Sequence, residues 1–221
     1  MLFRSPVDDA AAAWRNWYDF FPWEDWRRGE PPVLAGGILP ALFDWADGAD
    51  DAAADRRARI RLAFGLDSDG WEEERTLDRY ELMYEAGIVA EAARNGDARP
   101  VDGAGAEMVS DHRRILATAI GRLRGKLKYR PVVFELTPPR FTLLALQRTV
   151  EAVVGFGLHK QNFRRSLEQG ELVTRTRATV QQGSGSPAAV FQVNRAGLKD
   201  RAGKGLTIPR LRLSPGALHG G

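Results

Sequence analysis

The run His159-Lys160-Gln161-Asn162-Phe163-Arg164-Arg165-Ser166-Leu167-Glu168-Gln169-Gly170 gathers side chains that can grip a polyanion. Phe163 and Leu167 lie four apart, so one narrow stripe of a helix can enter a core. At about 100° per residue, Gln161 and Arg165 centre the opposite face. Asn162 and Glu168 flank that face, and Lys160 and Arg164 sit on its shoulder. Amides and guanidiniums so placed can make bidentate contacts to base edges or phosphates. A solvated surface helix would carry the same pattern, so the neighbouring segments have to decide between the two.

A second candidate chemistry is metal-assisted hydrolysis. Glu81-Leu82-Met83-Tyr84-Glu85-Ala86-Gly87-Ile88 imitates the end of the Nudix hydrolase motif, in which clustered glutamates hold Mg²⁺ near a diphosphate. Tyr80 stands where that motif has Arg, Tyr84 replaces a glutamate, and Gly65 is one position out of register. Mg²⁺ requires near-octahedral oxygen ligation, and this stretch lacks a chief donor. The match is read as accidental, and neither a catalytic residue nor a bound cofactor or metal is expected. Cysteine is absent and the three histidines (His112, His159, His219) are far apart, which excludes thiolate metal sites and disulfides.

The segments around the basic run favour nucleic acid. Thr142 is a good N-cap, and Phe141 can staple to Leu146. Leu143, Leu146, Val150 and Val153 make an apolar stripe that Gly155 ends. Gly155-Phe156-Gly157-Leu158 then leaves a short turn, the signature of a helix-turn-helix. Downstream, Leu172 to Val180 is rich in Thr and Val and carries Arg175 and Arg177. Gly183-Ser184-Gly185-Ser186-Pro187 breaks the chain before Val190-Phe191-Gln192-Val193 resumes a strand pattern. This is the plan of a winged helix-turn-helix. The basic helix would enter the major groove of a double-stranded DNA operator, and Arg175 and Arg177 on the wing could reach phosphates.

Charge is divided along the chain. Residues 1–100 hold 12 Lys and Arg against 21 Asp and Glu, a net of −9, whereas residues 101–221 reach +12, giving +3 for the whole. An acidic half joined to a basic half suits a polyanion-binding module attached to something that should not bind polyanions. No apolar run approaches the roughly 20 residues of a bilayer span, and no signal peptide is evident. The chain is read as soluble and cytoplasmic, with no membrane partner.

The acidic half begins with an aromatic cluster, Trp14, Trp17, Tyr18, Phe20, Phe21, Trp23 and Trp26. Core and rim packing is the expected role, while ring stacking on a purine or a protein interface are the alternatives. Residues 33–46 read as a helix around Ile38, Leu42 and Trp45, residues 48–55 as an exposed loop, and 59–64 as a half-buried strand. Residues 71–88 read as a helix and 94–106 as a loop. Ser110 is expected to cap a long amphipathic helix with Leu116, Ala119, Ile120, Leu123 and Leu127 on its stripe. Arg122, Arg124, Lys126 and Lys128 crowd its C-terminal half, where they suit the helix dipole or add to a DNA-facing field. Residues 132–136 read as a strand, and the tail after Val193 as loose.

From Asp111 onward the sequence resembles the Nudix-related transcriptional regulators of NAD metabolism (NrtR-like), particularly the alphaproteobacterial NAD-regulator branch. The resemblance rests on Asp111-His112, the run Gly121-Arg122-Leu123-Arg124-Gly125-Lys126-Leu127-Lys128-Tyr129, then Phe141-Thr142-Leu143 with Leu146-Gln147. Above all it rests on Lys160-Gln161-Asn162-Phe163-Arg164-Arg165. Phe20 to Trp26 and Tyr80 to Gly87 look like the same branch with less distinctive motifs. The resemblance implies a Nudix-like effector domain joined to a winged helix, acting as a homodimer that represses NAD-biosynthesis or salvage genes. It also implies an NAD-related nucleotide such as ADP-ribose as effector, and places Asn162, Arg164 and Arg165 on the DNA-reading helix. Where such wings often carry Gly-Arg-Pro, this chain has Gly185-Ser186-Pro187, which removes a wing-tip contact. The first strands of a Nudix sheet have no counterpart, so the chain is expected to start inside the effector domain.

The expected fold class is therefore α+β: a partial Nudix-like, helical N-terminal domain (1–108), a connecting amphipathic helix (109–130), a winged helix-turn-helix (131–195) and a tail (196–221). The DNA-binding residues expected are Lys160, Gln161, Asn162, Arg164, Arg165, Arg175 and Arg177. Two other classes compete: a nucleoside-diphosphate-linked hydrolase using Glu81 and Glu85, and a protein-interaction module built on the N-terminal aromatics.

Overall fold

Pro40 falls in the first turn of helix α1 (Leu39–Asp47), where its missing N–H removes no intrahelical bond. A π-helical turn, Leu34–Ile38, leads into it. This is a computed structural model, and it describes residues 14–196 except 50, 68, 69, 97, 130, 131 and 182–185. The expected tail lies outside the described residues apart from 196.

Helix α2 (Ala53–Phe64) corrects two expectations. Residues 53–55 open a helix, where a loop was expected. Residues 59–64 continue it, where a strand was expected. Alternating charge suggested the strand, but Ile60, Ala63 and Phe64 are spaced for one helical face and are all buried, while Leu62 points to solvent. Gly65 ends the helix in the left-handed region at φ 63°. Helix α3 is shorter than expected, Thr76–Glu85, and Trp71 before it is a buried side chain in a loop.

Helix α4 (His112–Tyr129) starts later than expected. The Ile115 N–H bonds the Asp111 carbonyl, and Ser110 sits outside at φ 54°. Its buried stripe is Arg113, Ala117, Ile120, Arg124 and Leu127, with Leu116 and Leu123 beside it and Ala119 exposed. Two arginines therefore occupy core positions on this helix. Residues 132–135, expected as a strand, form a 3₁₀ turn. Val133 is fully buried and Phe134 stacks on Phe141, so this apolar run packs into the core from a turn without joining the sheet.

Strand β1 (Arg140–Phe141) was not expected; helix α5 (Leu143–Val154), helix α6 (Lys160–Gln169), strand β2 (Val173–Val180) and strand β3 (Ala188–Val193) then follow one another in the expected order. The sheet is antiparallel with order β1-β3-β2, so the last strand is central. Arg175 pairs Phe191, but Thr179 pairs Ala189, so residues 176–178 bulge out of the ladder. The architecture is mixed: helices before β1, then a winged helix-turn-helix. Among the described residues no helix is long and apolar enough to cross a membrane.

One hydrophobic cluster runs through both parts. It includes Phe21, Trp23, Trp26 and Met83 from the helical half and Leu146, Val150, Phe156 and Leu167 from the winged half. The N-terminal aromatics are mainly core: Phe21 and Trp23 are fully enclosed, Trp26 nearly so, and Trp14 is exposed. An interface made of these tryptophans loses Trp23 and Trp26.

Candidate nucleic-acid interface

The helix-turn-helix is built from local signals. The Thr142 hydroxyl accepts the Ala145 N–H at 3.2 Å and caps α5. Gly155 ends α5 at φ 90°, and an added Cβ would run into the Glu24 carbonyl. The turn is braced from inside. Gln147 Nε2 donates to Glu151 Oε1 at 2.9 Å and to the Leu158 carbonyl at 2.8 Å. Glu151 Oε1 also accepts the Leu158 N–H at 2.8 Å. Phe163 and Leu167 then anchor α6, both buried as their spacing requires.

The carbonyl end of α5 is held from the other half of the molecule. The Tyr18 hydroxyl donates to the Ala152 carbonyl at 3.0 Å, and Arg124 Nε to the Val153 carbonyl at 2.9 Å. The Trp26 N–H reaches the Gly155 carbonyl at 2.6 Å. The last carbonyls of a helix lack intrahelical donors, so this grip satisfies groups that would otherwise need water. A cation also suits the negative end of the helix dipole.

Behind the grip lies a fully enclosed charge cluster. Glu24 meets Arg79 Nε at 2.6 Å and pairs with Arg124 Nη1. Arg79 also stacks on Trp71 at 3.8 Å and donates to the Ala63 and Glu72 carbonyls. Arg124 further donates to the Glu73 carbonyl and the Thr76 hydroxyl, both at 3.0 Å. Burial alone would raise the pKa of Glu24, but the two guanidiniums outweigh it and hold the carboxyl below its ordinary range. A third enclosed arginine, Arg113, pairs with Glu91 at 3.1 Å beneath Phe21 and Trp23.

These contacts correct one expectation. Arg124 was grouped with the cations of a DNA-facing field, yet it is interior. Lys128 is also engaged, with Glu73 at 3.1 Å and Glu74 at 2.5 Å. Only Arg122 and Lys126 of that group are exposed. Helical periodicity cannot reveal a buried arginine, because its signal is the absence of charge on the inner face. The partner, Glu24, stands a hundred residues away in sequence.

All seven residues singled out for DNA are exposed: Lys160, Gln161, Asn162, Arg164 and Arg165 on α6, and Arg175 and Arg177 on β2. None of their cations makes an ion pair with a described residue. A groove of about 1030 Å³ between α6 and the wing brings Lys160, Arg164 and Arg175 together over Leu144, Val173 and Phe191. Gln161, Asn162 and Arg165 lie outside it, as does Arg177, which falls in the bulge. Gly185 and most of the expected wing tip lie outside the described residues.

The two glutamates of the Nudix-like stretch are engaged by arginines. Both Glu85 oxygens are held by Arg59, at 2.9 and 2.6 Å, and Glu81 is held by Arg114 at 2.8 Å. Among the described residues no three His, Cys, Asp or Glu side chains cluster as metal ligands do.

The C-terminal part is thus a winged helix-turn-helix with an exposed basic helix. Residues 133–193 match the family model described as the NrtR DNA-binding winged helix domain. The chain is also 36% identical over 70 residues to the ADPR responsive transcriptional repressor NtrR of Acinetobacter baylyi, covering 32% of this chain and 28% of that protein. It spans less than a third of that relative's length. A solved structure of Shewanella oneidensis NrtR complexed with a 27mer DNA is similar at 24% identity, with a TM-score of 0.39, over 48% of this chain and 46% of that one.

Proposed function

We propose that this chain is a DNA-binding transcriptional regulator that represses NAD-biosynthesis or salvage genes. Residues 131–195 act as its reading unit and residues 1–108 as its regulatory part, joined through residues 109–130. The observation that carries the reading is how the two halves treat their cations. In the acidic half seven of the eleven described arginines pair with a carboxylate, among them Arg57–Asp47, Arg59–Glu85 and Arg75–Glu72. On α6 and β2 they stand in solvent with no such partner among the described residues. A surface that keeps cations unmatched on a helix anchored by Phe163 and Leu167 suits an external polyanion.

Lys160, Gln161, Asn162, Arg164, Arg165, Arg175 and Arg177 are assigned to the DNA contact. Homodimerisation would present two α6 helices to a palindromic operator about one helical turn apart. The matched relative is described as ADPR responsive, which supports an NAD-related nucleotide as effector here. Such a regulator works in the cytoplasm. Hydrolysis at Glu81 and Glu85 is disfavoured, since each carboxylate is engaged by an arginine.

Titrating a labelled duplex bearing a candidate operator at several salt concentrations tests the reading. Several phosphate contacts give a steep log–log salt dependence, and no binding at low salt removes the proposal. Arg165→Ala should cost roughly 1–3 kcal/mol on the operator and relax preference at one position. Sustained turnover of ADP-ribose with Mg²⁺, abolished in Glu85→Gln, would instead establish the hydrolase.

A further inference from the structure

A hollow of about 390 Å³ opens where the N-terminal segment meets α5. Asn16, Trp17, Tyr18 and Arg27 line it from the helical half, and Arg148 and Ala152 from α5. Arg148 and Ala152 lie four apart, so they share one side of that helix. None of these residues lines the groove beside α6. The volume falls at the small end of the roughly 300–1,000 Å³ typical of ligand pockets.

The two guanidiniums of the hollow differ. Arg27 is matched: its Nε and Nη2 donate to the two Asp25 oxygens at 2.7 and 2.8 Å, and the group lies 4.5 Å over the Tyr18 ring. Arg148 is exposed and forms no ion pair with a described residue. No Asp or Glu lines the hollow, and the carboxylate of α5, Glu151, is taken up by Gln147 and the Leu158 N–H. One positive charge is therefore left unmatched. The walls add an aromatic surface and a donor. Trp17 is half-buried and meets Tyr18 edge-on, with ring centroids 5.8 Å apart and no described cation stacked on the indole. The Asn16 side-chain oxygen accepts the Tyr18 N–H at 3.1 Å, which leaves the amide NH₂ to donate elsewhere.

We propose that this hollow binds a small, flat aromatic acid carrying a single negative charge. Arg148 forks onto its carboxylate, the Asn16 amide adds a donor, and its ring lies against the Trp17 indole. A planar guanidinium meets a carboxylate at two points, and one free cation suits one charge. A diphosphate would bring more negative charge than the hollow offsets. Its position gives the hollow a regulatory use, and that use rests on the DNA reading above. The Tyr18 hydroxyl donates to the Ala152 carbonyl at 3.0 Å beside it. An occupant touching Trp17 and Arg148 thus bridges the helical half and the first helix of the helix-turn-helix. It is held fully only while the two are docked, and so favours that arrangement.

The probe is naphthalene-2-carboxylate, titrated into the full chain and followed by ligand-observed NMR and thermal denaturation. Folding of each variant is checked by circular dichroism. The acid should bind at millimolar concentration or below and raise the unfolding midpoint. Its neutral carboxamide and the non-aromatic cyclohexanecarboxylate should each bind at least about tenfold more weakly. ADP-ribose should not displace it. Arg148→Ala should weaken the acid at least about tenfold, and Arg148→Lys should recover part of that loss. Trp17→Leu should weaken it too, while Arg122→Ala, at an exposed arginine of α4, should change nothing. The hollow is overturned as a site if the acid does not bind, if the carboxamide binds equally, if ADP-ribose displaces the acid, or if Arg148→Ala and Arg122→Ala behave alike. Saturating acid should also shift affinity for a labelled duplex bearing the proposed operator several-fold in the unaltered chain and not in Arg148→Ala. Unchanged duplex affinity rejects the regulatory use alone. A chain that binds no duplex at all removes the DNA reading and leaves the ligand site standing.

Discussion

Glu24 and Arg124 form an ion pair at zero side-chain exposure, and the same guanidinium bonds the last turn of α5 through the Val153 carbonyl. The helical half thereby fixes the orientation of the helix-turn-helix through a carboxylate that has two arginines to satisfy. Such a pair is weak evidence for stability, since enclosing charges is costly, but removing one partner is severe.

Glu24→Ala leaves Arg79 and Arg124 without their carboxylate. The expected loss is about 3–5 kcal/mol, measured by urea unfolding. Glu24→Gln keeps the shape and removes only the charge, so a loss equal to that of Ala would show that the charge and not the packing is at stake.

The depressed pKa of Glu24 also sets a pH dependence. A carboxyl whose folded pKa lies below its unfolded value contributes stability above that unfolded value, ordinarily 4.5, and loses it as pH falls through the folded one. Glu24→Gln should therefore show a flatter decline in stability below about pH 4.5 than the unaltered chain. Equal acid limbs in the two proteins would remove Glu24 from the account.

Gly155→Ala places a side chain at φ 90° and against the Glu24 carbonyl. The conformational part alone should exceed about 1 kcal/mol. Because Gly155 also bonds Trp26, the variant should lose affinity for the proposed operator together with thermal stability, while Gly157→Ala, whose added Cβ meets no atom within 4 Å, should lose neither by that mechanism.

Leu167→Ala opens a cavity beneath α6 at a fully buried site, at a cost of about 2–5 kcal/mol. Arg59→Ala, at a pair over 40% exposed on both sides, should cost no more than about 1 kcal/mol. Hydrogen exchange should show α6 opening early in the first variant and α2 unchanged in the second.

The winged module was legible because its signals are local: Thr142 before a periodic stripe, Gly155 after it, Phe163 and Leu167 four apart. The helical half was less so. Alternation at 59–64 satisfied a strand pattern, yet Ile60 and Phe64 served a helix, since tertiary contact chose between periods that short runs cannot separate. The interior arginines were invisible for a different reason. Arg79, Arg113 and Arg124 are enclosed only because Glu24, Glu91 and several carbonyls converge on them from distant segments. Of the interface, the residues were readable, but their division by the groove depends on where the wing lies relative to α6.

The strand order β1-β3-β2 has a consequence for how the molecule is made. The central strand β3 leaves the ribosome after β1 and β2, so these two have no mate in the described sheet until Val193 has emerged. Helices α1 to α4 can assemble while synthesis continues, whereas the wing must wait until β3 has emerged. A premature stop before Ala188 should therefore yield a helical body with two orphaned strands, prone to aggregate.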